Sequence, residues 1–488
     1  MKKLLTCAFA ALTLSAAAQT ADMFQPYKST DLRLPAVPVF VTDPYISFWS
    51  PYDTLTEGSI RHWTGEEKPL QGFVRVDGKV YRFMGQSASV YDAVASLAKE
   101  SGWTGKMTRK TPPADWTKPE FDDSAWETVT APIGSDATCH TQWTDFDSDI
   151  YVRRVIDITP EQLACDMQLR MSHDDGMKLY INGTQAFDTG DTYIMNQKEP
   201  MTPDIKKLLK PGRNVIAATC HNGVGGAYLD FGIYSRLDND IPAVEMARQT
   251  QCDVMATSSY YTFTAGPVEL KVVFTAPMLI DDYDLLSSPI NYISYNVVST
   301  DGRPHDVQVL LTASPMIAQD SSWQPTRSTV ETTDGITYVR TGTVEQPVLD
   351  KKGDHVCIDW GYLYMPAING QVALSSESDI LHTFYASGKL PAGKQEIVAR
   401  TASEMPALAY IHNFGKVTDA SSFAMLGYDE IYDVEYLYKP YKGYWAHNGQ
   451  VSILDMFKRM SASYASIMNR CKALDKTIYD DGDKVGGK

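Results

Sequence analysis

A chain of 488 residues has room for about three domains. Its 43% hydrophobic and 11% aromatic content can fill sizeable cores, which excludes disorder as its working state. The 60 acidic against 44 basic side chains leave a formal charge of −16, which excludes a nucleic-acid partner, because phosphate binding wants a basic face.

The chain begins with Lys2 and Lys3, an apolar run over 4–14, and small residues at 15–18. That pattern reads as a signal peptide over 1–18, cut near Ala18. The run is too short to span a bilayer, no second run follows, and Cys7 sits after Thr6 without a lipoprotein signal. The expectation is an exported protein, periplasmic or extracellular, with no membrane span.

Residues 19–100 form the first segment. Phe73, Val74 and Val76 lead into Asp77-Gly78, and Val80, Tyr81 and Phe83 answer them, the pattern of a hairpin. Arg61, His62 and Trp63 stand just before it, a cation, an imidazole and an indole that strand-building does not require. Residues 90–99 read as a short helix.

A stretch rich in Trp, Lys, Thr and Pro then marks a boundary, and 101–237 read as a separate module. Its strand at 151–155 reads as an edge. Two strands within 169–183 bracket Asp174-Asp175-Gly176, and Asn182-Gly183 closes the next hairpin. Asp174-Asp175 suit a hard cation, but a tight turn selects the same residues and is the simpler reading.

Residues 238–420 return to short strands, at 260–263, 268–274, 290–299, 305–311, 336–339, 356–365 and 383–386, which indicates a β-sandwich. Asp281, Asp282 and Asp284 read as a solvated loop rather than a cation site. From 421 to 488 the period turns helical. Ile453, Phe457, Met460, Tyr464, Ile467, Cys471, Leu474 and Ile478 fall at steps of four and three, one apolar stripe along about seven turns. A helix cannot bury such a stripe on itself.

Several strings are similar to the secreted glutaminase family of bacteroidal and fungal proteins. They are Thr42-Asp43-Pro44-Tyr45, Phe48-Trp49-Ser50, Arg61-His62-Trp63-Thr64-Gly65, the runs 74–79 and 81–85, and later 427–432 and 443–449. The module at 101–237 resembles the galactose-binding-like jelly rolls of glycosidases, and 173–183 also resembles the sandwich of some calcium-dependent lectins.

The resemblance implies a mainly β fold: a jelly roll, a larger β-sandwich and a C-terminal amphipathic helix. It implies that 421–488 are a linker and the first helix of an α/α-toroid catalytic domain that the chain otherwise lacks. The function implied is the non-catalytic or incomplete N-terminal portion of an exported enzyme that hydrolyses L-glutamine to L-glutamate and ammonia. The toroid would be its intramolecular partner.

Amide hydrolysis needs an activated nucleophile or water, an oxyanion stabiliser and an acid for ammonia. No compact signature for these occurs: there is no GxSxG, HExxH or P-loop. Catalytic residues therefore stay unassigned. Candidates for a substrate rim are Arg61, His62 and Trp63, and Tyr444, Trp445 and His447. Arg61 could pair with an α-carboxylate, and either histidine could move a proton; packing between domains would use the same residues.

No cofactor and no metal is expected. Cysteines 139, 165, 220, 252, 357 and 471 read as free thiols, though one bridge stays open. The ligand would be a small amide or a glycan. Two other readings stand: a carbohydrate-binding accessory protein, stacking sugars on Trp103, Trp116 or Trp143, and the N-terminal region of a glycoside-hydrolase-like enzyme.

Overall fold

The computed structural model describes residues 23–29, 32–237, 240–351 and 356–486; the expected signal peptide lies outside them. The chain divides into two units, one of Met1–Ala88 with Asp240–Lys488 and one of Ser89–Asn239.

The first unit is a β-sandwich built from the expected hairpin outward. Asp77 and Gly78 take left-handed φ of 50° and 92°, so the chain reverses between Leu70–Val76 and Lys79–Met84. These two strands, with His305–Ala313, Ala407–Val417 and others, make a six-stranded sheet. A nine-stranded sheet faces it, centred on Val268–Thr275, Ile290–Ser299 and Asp419–Asp429.

Period-two alternation sorts the side chains. Ile293, Tyr295 and Val297 enter the core between the sheets with Leu70, Val74, Val76 and Val309. Ile290 and Tyr292 point the other way. On the six-stranded sheet, Phe73 and Leu310 likewise turn outward.

Each outward face is covered by helix. Helix α1, Glu377–Ser387, lies on the six-stranded sheet through Ile380, Leu381 and Phe384. Residues 383–386 are therefore not a strand. The Ser376 hydroxyl accepts Asp379 N–H to start the helix, and Gly388 at φ 67° ends it. These end signals outweigh the β-favouring Thr-Phe-Tyr between them.

Helices α2, Ile453–Ala462, and α3, Tyr464–Gly486, cover the nine-stranded sheet. The expected stripe is broken at Ser463 rather than continuous. Ser452 and Asp455 form a capping box that starts α2. Ile453, Met456, Phe457, Met460, Ile467 and Cys471 are buried against Ile290, Tyr292, Tyr338, Tyr364 and Met425. At about 1.5–3 kcal/mol per buried large apolar side chain, this seating contributes on the order of 10 kcal/mol before chain entropy.

Gly427 allows the close approach, since a Cβ there would lie 2.7 Å from the Phe457 ring. Asp475 pins α3 by accepting Thr257 N–H at 2.8 Å and Thr257 Oγ1–H at 2.9 Å. The stripe is thus not left bare, and only toward Ile478 does it reach solvent.

The second unit is a jelly-roll sandwich of two six-stranded sheets around Trp103, Trp143, Ile150, Val152, Leu169, Leu179 and Phe231. Residues 90–99 are not a helix: Tyr91–Ala95 is a strand paired with Tyr228–Arg236. Nor is 151–155 an edge, because Ser148–Ile158 lies between Gly212–Asn222 and Thr104–Thr108. Asp174-Asp175-Gly176 does not close a hairpin; it hands the chain from one sheet to the other. Asn182 and Gly183 do turn the hairpin from Met177–Ile181 to Thr184–Asp188.

Trp103, Trp116 and Trp143 are all buried, so none offers a face to a sugar. The six cysteines are free thiols. Among the described residues no helix is long and apolar enough to cross a membrane.

Candidate functional site

Arg61 and His62 form the short third strand of a small sheet, with His62 opposite Phe48 and Arg61 opposite Trp49. The loop that follows uses Arg61 to hold itself. Its guanidinium donates to Tyr52 Oη at 3.0 Å, to Gly65 O at 2.7 Å and to Glu67 Oε1 at 3.2 Å.

His62 is buried. Its Nε2 lies 3.1 Å from the Pro44 carbonyl, which can only accept, so the ring proton sits on Nε2. Nδ1 is then the bare nitrogen, 2.9 Å from Thr64 Oγ1 and 3.5 Å from Cys357 Sγ. Burial, helped by the Lys68 charge, drops the imidazole to a pKa of about 4. His62 is therefore neutral at physiological pH and sits against a buried thiol, away from solvent. Trp63 is exposed and donates its indole N–H to the same Pro44 carbonyl at 2.9 Å.

That turn leads to a group of carboxyls. Asp43 Oδ1 accepts the N–H groups of Tyr45 at 2.7 Å and Ile46 at 3.1 Å. Glu430, just past the strand Asp419–Asp429, is buried with Oε1 unpartnered. Burial pushes the Glu430 carboxyl well above its usual range, and the charges of Asp43, Asp433 and Asp429 push it further. Asp433 is raised to about 6, again mainly by burial, although its Oδ2 accepts Gly443 N–H at 2.7 Å.

Tyr45 meets Trp360 edge-on at 5.1 Å, and Trp360 donates to Tyr432 O at 3.2 Å. Burial beside other acids thus favours the protonated forms of Glu430 and Asp433. Among the described residues no group of three or more His, Cys, Asp or Glu side chains is placed to hold a metal ion.

The second set of candidates divides. Trp445 is buried near Asp433: a Cβ on Gly443 would lie 2.6 Å from the indole nitrogen and 2.5 Å from Asp433 Oδ1. A chain of contacts thus runs from Trp63 through Pro44 and Asp43 to Glu430, Asp433 and Trp445. Tyr444 is exposed and meets Tyr283 edge-on at 5.9 Å. His447, at a left-handed φ of 43°, pairs with Asp284 at 2.9 Å, which also binds Arg459 at 3.0 Å.

Asp281 and Asp282 pair with Arg470 at 3.0 and 2.8 Å, so the acidic loop ties the helices down instead of being merely solvated. Asp43, Cys357, Trp360, Glu430 and Asp433 were not candidates from sequence. In the sequence Asp429-Glu430 is an acidic pair of a kind common in turns.

A family model described as a domain of unknown function (DUF5127) matches residues 257–481, and another described as a domain of unknown function (DUF4964) matches residues 9–95. The chain is 26% identical over 264 residues to Glutaminase A of Aspergillus oryzae (strain ATCC 42149 / RIB 40), covering 51% of this chain and 37% of that protein. It therefore spans well under half the length of that relative.

Among solved structures, a glycosyl hydrolase family 2 member from Bacteroides cellulosilyticus DSM 14838 is 10% identical with a TM-score of 0.25, covering 54% of this chain and 33% of that one. The Ruminococcus gnavus beta-glucuronidase is 9% identical with a TM-score of 0.23, covering 60% and 47%. Likeness this low says nothing of function.

Proposed function

We propose that this chain is the β-rich scaffold portion of a glutaminase-like amidohydrolase, one that converts L-glutamine to L-glutamate and ammonia. The observation that carries the reading is the 264-residue similarity to Glutaminase A. The amide chemistry itself is assigned to polypeptide outside the two units, as an α/α-toroid region in the reading drawn from the resemblance. The helices α2 and α3 supply no argument for that region, because the sandwich itself covers their stripe.

The scaffold role is supported by the state of the rim candidates. His62 is buried and neutral, Arg61 is committed to its own loop, and His447 is held by Asp284. In this reading Arg61, Trp63, Tyr444 and the Asp43–Glu430–Asp433 carboxyls border the substrate path without performing the reaction. Export, as 2–18 suggest, would place the protein in the periplasm or outside the cell.

The test is ammonia release from L-glutamine by the purified chain, coupled to glutamate dehydrogenase. Turnover at background is expected. A kcat in the ordinary enzyme range of about 1–10³ s⁻¹ would place the active site within these residues and overturn the scaffold assignment.

A further inference from the structure

The loops at one end of the jelly roll gather oxygen atoms whose charge the unit leaves uncancelled. Asp174 ends the strand Met167–Asp174 in one sheet, and Asp175 and Gly176 carry the chain across to Met177–Ile181 in the other. A hairpin turn would give adjacent aspartates a local task; a crossing between sheets does not. Their carboxyls stand close enough to interact, and Asp174 is raised above the usual carboxylate range, by burial first and then by the Asp175 charge. Among the described residues no Lys or Arg pairs with either, whereas Arg153, Arg170 and Lys178 are engaged by Asp123, Glu100 and Asp188.

The strand Gly212–Asn222 ends beside this pair, and Gly223 N–H donates to Asp175 Oδ2 at 2.8 Å. Asn222 is fully buried, and its Nδ2 donates to Asp145 O at 2.8 Å. That bond fixes the amide, so its other end is the carbonyl oxygen, and Asn222 Oδ1 has no donor. Side chains two apart on a strand share a face. Cys220 Sγ, on the face of Asn222, lies 3.8 Å from Asp174 O, so Asn222 is turned toward the aspartates. A buried acceptor left bare is costly, and a neighbouring carboxylate, itself an acceptor, cannot relieve it.

The loop that follows, Gly223-Val224-Gly225-Gly226, is shaped round these oxygens. A Cβ on Gly226 would lie 2.9 Å from Asp174 Oδ2, and one on Gly223 would lie 3.1 Å from Asp175 Oδ2. Glycine thus brings the main chain close to both carboxylates, which a pair of solvated acids would not need.

We propose that this end of the jelly roll binds calcium through the carboxylates of Asp174 and Asp175 and the amide oxygen of Asn222. The donor set decides the class of ion. All three donors are oxygens, which suit a hard cation, whereas zinc and copper favour nitrogen and sulfur. Calcium accepts about six to eight oxygens in flexible geometry, so carbonyls of 224–226 and water complete its shell. Magnesium demands a near-ideal octahedron, which two adjacent residues and a strand end do not impose. The cation cancels the repulsion between the carboxylates and takes up the bare amide oxygen.

Isothermal titration of calcium chloride into the purified chain, stripped with EDTA and desalted, tests this. One site per chain is expected, with a Kd on the order of 10⁻⁴–10⁻³ M, as in weak calcium modules. At about 10 mM calcium the melting of the jelly roll should rise by about 3–10 °C. Asp174→Asn keeps the shape and removes one charge. In EDTA it should melt at or slightly above the wild-type temperature, because the repulsion is gone, yet bind calcium about 30-fold more weakly or worse. Asp204→Asn, exposed on the same unit, should bind as the wild type does.

A chain that takes up no calcium at about 10 mM, far above the expected Kd, would overturn the proposal. So would binding that survives Asp174→Asn, or that falls equally with Asp204→Asn. Amide exchange of the wild-type chain locates the ion without any variant: calcium should slow exchange at 174–176 and 222–226, and protection confined to other segments would place the ion elsewhere and refute the assignment.

Discussion

Phe457→Ala tests whether α2 and α3 belong to the sandwich or await another neighbour. Phe457 is fully buried, between Ile453 and Met460 on the helix and Tyr292 and Met425 on the sheet, and its ring leaves no space for a Cβ on Gly427. Removing the ring forfeits its transfer energy and leaves a cavity that rigid strands cannot close, a cost of about 3–5 kcal/mol. Against a typical total of about 5–15 kcal/mol, that is a large fraction.

Urea unfolding followed by tryptophan fluorescence should show the midpoint fall at unchanged m. Amide exchange along 453–471 should accelerate by about two orders of magnitude or more, since about 1.4 kcal/mol is tenfold. A helix held only by an absent partner would already exchange quickly, and the substitution would cost less than about 1 kcal/mol. That result would refute the seating described here.

Two pH dependences follow. His305 lies between Asp77 Oδ2 at 2.6 Å and Asp301 Oδ1 at 3.0 Å, and these hydrogen bonds raise its pKa above the usual value. Stability from this clamp is complete below the unfolded-state pKa of about 6.5 and is lost as pH rises through the higher folded value; His305→Gln should flatten the urea midpoint over that window. Glu430 and Asp433 are raised carboxyls, so the folded state binds more protons than the unfolded. Stability should fall as pH climbs from about 4, the unfolded range, through 6 and above. Glu430→Gln should reduce that slope and cost little at pH 7; an unchanged slope would mean that these carboxyls are not buried together.

The strands were legible where side chains alternate between two buried layers. Ile290 to Val297 shows this: one parity meets the helices and the other meets the core, and a period of two survives. Residues 90–99 and 383–386 were misread because short apolar runs fit either period. Pairing decided the first, through Tyr228–Arg236; caps decided the second, through Ser376 and Gly388. Both determinants are visible as residue types, but only the cap is local enough to be read from the string.

The site was less legible for a different reason. Glu430 is unusual only because Asp43, nearly four hundred residues earlier, is folded beside it, and no spacing rule reaches that far. Asp429-Glu430 alone is indistinguishable from a turn. His62 shows the converse. Its neighbours in sequence suggest a rim, yet Pro44 and Cys357 enclose it and burial removes its charge. The stripe from Ile453 shows the same limit on a larger scale: the pattern says that a face must be covered and cannot say by what. The sheet that covers it was already present in Ile290, Tyr292 and Met425, so a bare amphipathic helix at a chain's end is no measure of missing polypeptide.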